Sequence, residues 1–291
     1  MHPALSPSRV DSLSLDVFHG YQVDMLRDDL IHPLIAGNKW RKLSGIIEHA
    51  KTIENAHIVT FGGAYSNHLV ATAVAGKLFG IKTSAFVRGD EERPLNAYEE
   101  TCKSYGMQLI HVSRTSYRDK TQLFNQYFED QANTLKVDEG GRHSLAFKGC
   151  KAILDDLHKV YDYIVLSVGT GTTMEGLIQG CIQKQLNTKI IGISSLKNNF
   201  ELDQIMGKYP NQYWQIFHEF HRGKYAKFDA DLLEFIDKFK QSSKITLEPV
   251  YTGKMMMAIT ELIEQGCFKK EAKILCIHTG GLPELMPIYN P

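Results

Sequence analysis

Tyr163-Ile164-Val165-Leu166-Ser167-Val168 runs directly into Gly169-Thr170-Gly171-Thr172-Thr173-Met174-Glu175-Gly176. An apolar, β-branched run that breaks at glycines and then takes up helical spacing from Met174 to Gln183 reads as a strand, a tight turn and a helix. The same succession recurs on both sides. His57-Ile58-Val59-Thr60-Phe61, Thr83 to Val87, Gln108 to Val112, Ile190-Ile191-Gly192-Ile193 and Ile274-Leu275-Cys276-Ile277-His278 read as strands, with helices over Leu69 to Phe79 and Asn96 to Tyr105. Repeated switching between periods of 2 and 3.6 predicts an α/β fold with parallel sheets.

Three of these strands end in Gly-rich or Ser/Thr-rich turns that open helices, so backbone N–H groups and helix dipoles gather at the C-terminal edge of a sheet, where ligands bind. Asp138-Glu139-Gly140-Gly141-Arg142 and Gly149 lie between the first strands and the second set, which puts a lobe boundary near residue 150. At 291 residues the chain can form one or two cores. Lys+Arg and Asp+Glu are both 33, and no long basic block occurs, so nucleic acid and membrane surfaces gain no support as partners and a small ligand is expected. Five cysteines without CxxC spacing argue against a disulfide framework or a zinc knuckle, and are expected to be reduced and mostly buried. The opening MHPALSPSRVDSLSL has no basic start followed by an apolar core, and no apolar run approaches the roughly 18 residues that span a bilayer. A cytoplasmic protein is expected.

Gly37-Asn38-Lys39-Trp40-Arg41-Lys42-Leu43 sets two lysines three apart at the start of a helix-like run. A lysine that captures a carbonyl must be neutral at working pH, through desolvation or a nearby cation, and Arg41 and Lys42 are the nearest charges in sequence. The stretch also reads as a solvated basic turn. The 169–176 loop supplies small residues, N–H donors and three hydroxyls for a dianionic phosphate. A Walker A loop is excluded because no Gly-Lys-Ser/Thr follows, and the third glycine, at 176, is misplaced for a dinucleotide fingerprint; a plain strand–helix turn remains the alternative. A carbonyl-capturing amine together with an anion-holding loop points to pyridoxal phosphate.

Ser66-Asn67-His68 follows Gly62-Gly63 where a helix should begin. Ser66 or Asn67 can cap that helix, which is compatible with Asn67 donating to a cofactor oxygen while Ser66 and His68 face the substrate. Tyr251, between Pro249 and Gly253, reads as a loop residue presented to a ligand or as a packed core tyrosine. Thr279 ends an apolar strand before Gly280-Gly281, where a hydroxyl can reach a ring nitrogen. His218-Glu219-Phe220-His221 spaces its histidines i, i+3 rather than the i, i+4 of a zincin, and no G-x-S-x-G elbow occurs. No metal ligands are expected.

Arg27-Asp28-Asp29-Leu30 followed by Gly37-Asn38-Lys39-Trp40-Arg41-Lys42-Leu43 is a specific combination, and with it the chain resembles the pyridoxal-phosphate enzymes that comprise D-cysteine desulfhydrase and 1-aminocyclopropane-1-carboxylate (ACC) deaminase, of the tryptophan-synthase-β-like fold type II. The resemblance runs from Arg27 to Gly281. It implies two lobes with open, mainly parallel twisted sheets flanked by helices: residues 44–150 as a smaller α/β domain, and 1–43 with 151–291 as the larger, cofactor-binding domain. It implies that Lys39 forms the Schiff base, that Lys42 and Gly169, Thr170, Gly171, Thr172 and Thr173 hold phosphate, and that Asn67 contacts a cofactor oxygen. Tyr251 resembles the family's tyrosine at the cofactor face, and Tyr225, in Gly223-Lys224-Tyr225, a second active-site tyrosine. A homodimer is implied as well.

Two positions separate the branches of that family. ACC deaminases carry Glu after the loop tyrosine and Leu before the final Gly-Gly, desulfhydrases Ser or Thr at both; here they are Thr252 and Thr279, and His68 in place of Gln leans the same way. A hydroxyl in place of a carboxylate at the ring nitrogen suits departure of a good leaving group better than opening an unactivated ring. The chain departs from the family at Tyr65, commonly Gln, and at Leu69-Val70, commonly Val-Arg. The expected activity is β-elimination from a small amino acid, foremost D-cysteine to pyruvate, sulfide and ammonia, with Lys39, Ser66, Tyr251 and Tyr225 as catalytic candidates. ACC deamination, or non-catalytic binding of pyridoxal phosphate or an amino acid, are the alternatives.

Overall fold

The computed structural model describes residues 2, 4–35, 37–89, 93–197, 199–222, 228–281 and 285. In chain order its strands are β1 (Val10–Leu13), β2 (Gln22–Leu26), β3 (His57–Gly63), β4 (Lys82–Arg88), β5 (Gln108–Val112), β6 (Thr134–Val137), β7 (Tyr163–Val168), β8 (Lys189–Ser194), β9 (Trp214–Phe217) and β10 (Lys273–Ile277). The helices are α1 (Asn38–Ala50), α2 (Asn67–Phe79), α3 (Ala97–Ser104), α4 (Lys120–Phe128), α5 (Ala146–Lys151), α6 (Thr172–Gln183), α7 (Glu201–Met206), α8 (Ala230–Ser243) and α9 (Thr252–Glu264). The chain divides into two compact units, one of residues 1–32 and 150–281, the other built on 33–149.

The 33–149 unit holds a parallel four-stranded sheet in the order β5-β4-β3-β6. β3 is buried from His57 to Gly62, as befits a strand whose apolar run is nearly unbroken. Its polar members are paired inside: His57 Nε2 meets Ser84 Oγ at 2.8 Å and Thr60 donates to Val137 O at 2.8 Å. Phe61 stacks on Phe86 with ring centroids 5.2 Å apart, in a cluster with Tyr117, Leu123 and Phe128. α2 is buried from His68 through Gly76, apolar all round, and stops at Gly80 in the left-handed conformation.

α1 begins after Gly37, whose φ of 58° and ψ of −131° suit only glycine. It packs so closely on the 145–149 segment that a Cβ on Gly45 would lie 2.2 Å from Leu145 O, and one on Gly149 1.9 Å from Arg41 O. These clashes are with backbone, so Gly149→Ala is expected to destabilise by about 3 kcal/mol, the upper end of the range for overpacking. Urea unfolding checks this; a loss below about 0.5 kcal/mol would mean that α1 shifts freely to make room. The same packing explains why 33–43, with Lys39, cluster with the smaller unit, whereas the sequence grouped 1–43 with the larger one.

The other unit holds a six-stranded sheet in the order β1-β2-β10-β7-β8-β9, parallel except for the β1–β2 pair. Alternate residues of its strands feed two cores. Val165, Ile191, Ile193 and Cys276 pack with Ile236 and Phe239 of α8 and Met255, Ile259 and Leu262 of α9. Ile164, Leu166, Val168 and Leu275 pack with Met174, Leu177 and Ile178 of α6. Arg27, just past β2, is 8% exposed and clamps Asp29 through two bonds of 2.9 and 2.7 Å and Asp11 through a third of 2.9 Å, while Asp28 accepts from Ser8. The RDDL stretch is thus an ion-paired turn that ends a central strand.

Cys102, Cys150, Cys181 and Cys276 are buried and Cys267 is exposed, none of them in a disulfide. Among the described residues no helix is long and apolar enough to cross a membrane.

Candidate active site

In the 33–149 unit, Lys39 lies in the first turn of α1, half-buried, with Nζ donating to Asn38 Oδ1 at 2.7 Å. Lys42, nearly one turn on, is buried and donates to Gly140 O at 2.8 Å. Ser66 caps α2, its Oγ accepting from Leu69 N at 3.4 Å. Asn67 opens the helix, and its Oδ1 is buried without a hydrogen-bond partner. His68 is 2% exposed, with Nε2 2.8 Å from Thr60 Oγ1. Burial first, then the charges of Lys39 and Lys42, push its pKa down to about 3, so it is neutral at physiological pH. Gly141, at a φ of 80°, leaves room where a Cβ would come within 3.2 Å of Lys42 Cδ and 3.3 Å of His68 Cε1. Lys39, Lys42 and His68 therefore form one electrostatic cluster, with His68 embedded in it rather than exposed.

In the larger unit, α6 starts at Gly171, whose φ of 80° is left-handed and which offers no side-chain cap to the first-turn amides. A Cβ there would meet Leu202 Cδ2 at 2.8 Å. Thr173 Oγ1 is buried in that first turn with no hydrogen-bond partner, and Thr170 and Thr172 hydroxyls stand 3.4 Å apart. Asn199 Nδ2 donates to Gly169 O at 2.9 Å and fixes the turn. Uncapped amides beside an unsatisfied buried hydroxyl fit a dianionic phosphate.

Tyr251 belongs to the same neighbourhood. Its Cε1 is 3.7 Å from where a Cβ on Gly169 would stand, and its carbonyl accepts from Ser167 Oγ at 2.8 Å. Glu248 organises this loop: its buried carboxylate accepts from Val250 N at 2.8 Å, Tyr251 N at 2.8 Å and Thr252 N at 2.6 Å. Burial pushes its pKa up, against the pull of those amides. Thr252, expected from sequence to mark the branch of the family, turns its hydroxyl to Glu248 Oε1 at 3.2 Å and accepts from Glu248 N at 3.0 Å. Thr279 is 6% exposed at the end of β10, and the following Gly281 has no room for a side chain, since its Cβ would fall 2.4 Å from Glu248 Cγ. His278 fixes this end locally, with Nε2 donating to Thr246 O at 2.9 Å and Nδ1 accepting from Gly280 N at 3.3 Å.

Tyr225 lies outside the described residues. Glu248, Asn199 and Thr60 were not singled out from sequence; only Glu248, three and four residues before Tyr251 and Thr252, leaves a local trace, that of a carboxylate capping a helix start. A second desolvated lysine, Lys254, is 1% exposed and donates to His221 O at 2.7 Å, with burial lowering its pKa. Among the described residues no group of three or more His, Cys, Asp or Glu side chains could hold a metal ion.

The family model of pyridoxal-phosphate dependent enzymes matches residues 18–280. A D-cysteine desulfhydrase of Serratia proteamaculans is 24% identical over 322 residues, covering 98% of this chain and 94% of its own. A bifunctional D-cysteine desulfhydrase/1-aminocyclopropane-1-carboxylate deaminase, mitochondrial, of Arabidopsis thaliana is 27% identical over 293 residues, covering 91% and 73%. The crystal structure of an ACC deaminase homologue matches with a TM-score of 0.80 at 23% identity, over 97% of this chain and 95% of that one, which shows the shared α/β fold.

Proposed function

Because the chain belongs to the family of pyridoxal-phosphate dependent enzymes, we propose that it is a lyase that expels the β-substituent of a small amino acid, foremost sulfide from D-cysteine, with pyruvate and ammonia as the final products. The observation that carries the reading is the start of α6, where uncapped amides adjoin the buried, unpartnered Thr173 hydroxyl. Gly169, Thr170, Gly171, Thr172 and Thr173 are the residues proposed to hold the cofactor's phosphate there, and Lys42 is proposed as a further phosphate ligand.

Lys39 is the amine that links to the cofactor, and Asn67 contacts its ring oxygen. When bound, pyridoxal phosphate supplies an aldehyde for that link and a ring that withdraws electrons from the substrate's Cα. Lys39 Nζ, once released by the substrate amine, Ser66 Oγ and Tyr251 Oη are the groups proposed to take the Cα proton, with Tyr225 as the second active-site tyrosine. Ser66 is the residue proposed to face the substrate, whereas His68, expected from sequence to do the same, is 2% exposed and lies inside the protein. Thr279 brings a hydroxyl, not a carboxylate, to the ring nitrogen, which favours loss of a good leaving group over ring opening. The names of the Serratia and Arabidopsis relatives support sulfide release, and the second of them equally names ACC deamination, the alternative reading. The reading includes a cytoplasmic homodimer.

Purified protein loaded with pyridoxal phosphate is expected to release sulfide and pyruvate from D-cysteine faster than 2-oxobutyrate from ACC. Formation of 2-oxobutyrate without sulfide would overturn the substrate assignment. Retained colour without product from a panel of D- and L-amino acids would overturn the enzymatic one.

A further inference from the structure

Among the described residues, two hydroxyls at the C-terminal end of the six-stranded sheet are buried and meet no hydrogen-bond partner: Thr173 Oγ1 in the first turn of α6 and Ser195 Oγ just past β8. Ser195 is 1% exposed. Its amide donates to Val168 O at 3.1 Å, which carries the β7–β8 register one step beyond the Val168–Ser194 pair and sets Ser195 beside Gly169. Asn199 Nδ2 donates to Gly169 O at 2.9 Å, so Ser195 and Asn199 both hold to the glycine turn.

Strand alternation fixes the face on which the Ser195 side chain lies. Val165 of β7 and Ile191 and Ile193 of β8 pack toward α8 and α9. Ser167, Gly169 and Ser195, each an even number of positions further on, take the same side. Ser167 Oγ there donates to Tyr251 O at 2.8 Å, and a Cβ on Gly169 would stand 3.7 Å from Tyr251 Cε1. Ser194, on the other face, donates to Leu196 O at 3.0 Å and is satisfied locally. Ser195 has no such outlet, and a buried hydroxyl without a partner calls for a ligand.

The strand order shows which end of a ligand it meets. β10 and β8 flank β7. With neighbouring strands about 4.8 Å apart, Thr279 beyond β10 and Ser195 beyond β8 stand about 10 Å apart across the tip of β7. A pyridine ring with its phosphomethyl arm can bridge that gap. With the ring nitrogen at Thr279, the anionic end falls on the Ser195 side.

We propose that Ser195 is a further cofactor-binding residue, whose Oγ donates to a phosphate oxygen of pyridoxal phosphate and completes the set of donors that Thr173 Oγ1 and the first amides of α6 begin. The role rests on the reading that the start of α6 holds that phosphate.

The test compares two probes on cofactor-stripped protein, pyridoxal phosphate and pyridoxal, which has the same ring and aldehyde but no phosphate. Ser195→Ala is expected to raise the Kd of pyridoxal phosphate about 10-fold, as for one lost hydrogen bond to a charged acceptor, and to leave that of pyridoxal unchanged. Without cofactor, its urea midpoint is expected to stay or rise, because no bond is lost. A lower midpoint in stripped protein would make the hydroxyl a structural group and overturn the proposal. Equal weakening of both probes would place it at the ring and overturn the phosphate assignment. Thr173→Val separates the two readings. If it weakens pyridoxal phosphate binding and Ser195→Ala does not, the role of Ser195 falls alone; if neither variant does, the phosphate site at α6 falls with it.

Discussion

Lys39→Ala is expected to strip the pyridoxal-phosphate-loaded protein of its internal visible absorbance and to lower turnover by about 10⁴-fold or more. Removing a group that shuttles a proton typically costs about 10²–10⁴, and here the same amine also makes the covalent link. Competition from Lys254 sharpens the test. That lysine is more thoroughly desolvated than Lys39, and burial lowers its pKa, a property often found in carbonyl-capturing amines. Its Nζ donates to a backbone carbonyl, His221 O, at 2.7 Å, and that of Lys39 to a side chain, Asn38 Oδ1, at 2.7 Å. Colour that survives in Lys39→Ala and is lost in Lys254→Met would transfer the role to Lys254.

Glu248→Ala is expected to cost about 4 kcal/mol of stability. Three backbone amides, those of Val250, Tyr251 and Thr252, end on this one carboxylate, together with the Thr252 hydroxyl. Each buried donor left unsatisfied costs about 1–3 kcal/mol, and water entering the vacated space recovers part of that. Urea unfolding monitored by circular dichroism measures the loss. A change smaller than about 1 kcal/mol would mean that the loop refolds onto other acceptors. Because the same amides set the position of Tyr251 beside Gly169, the variant is also expected to hold pyridoxal phosphate less tightly.

β3, β4, β7, β8 and β10, buried over most of their length, were legible because a parallel strand buried on both faces has little polar alternation to confuse its pattern. β2 was not, since Asp24 interrupts it. In the fold that carboxylate is 2% exposed and is held by Tyr161 at 2.8 Å and Lys159 at 2.7 Å, partners more than 130 residues away. β1 and β9 are four-residue edge strands whose only reason to form is the neighbour they pair with.

The site divides along the same line. The Gly169–Thr173 turn announces itself, because glycine and hydroxyl residues after a strand encode a backbone shape locally. Thr60 does not: within β3 it is one more β-branched residue, and its hydrogen bonds appear only when Val137, 77 positions later, and His68 converge on its oxygen. The grouping of Lys39 with the smaller unit was equally hidden, since it follows from glycines at 45 and 149 that let backbones touch.

The pairing of β2 with β10 has a consequence for how the chain matures. Residues 22–26 pair early with 10–13 but reach the rest of their sheet only through 273–277, so the large sheet encloses in sequence the whole of the small one. During synthesis the 33–149 stretch can assemble its four strands as soon as it clears the ribosome, while the opening strands wait for nearly the full message to be translated. The vitamin-linking lysine is thus placed in the part of the protein that finishes first, and the anion cradle in the part that finishes last.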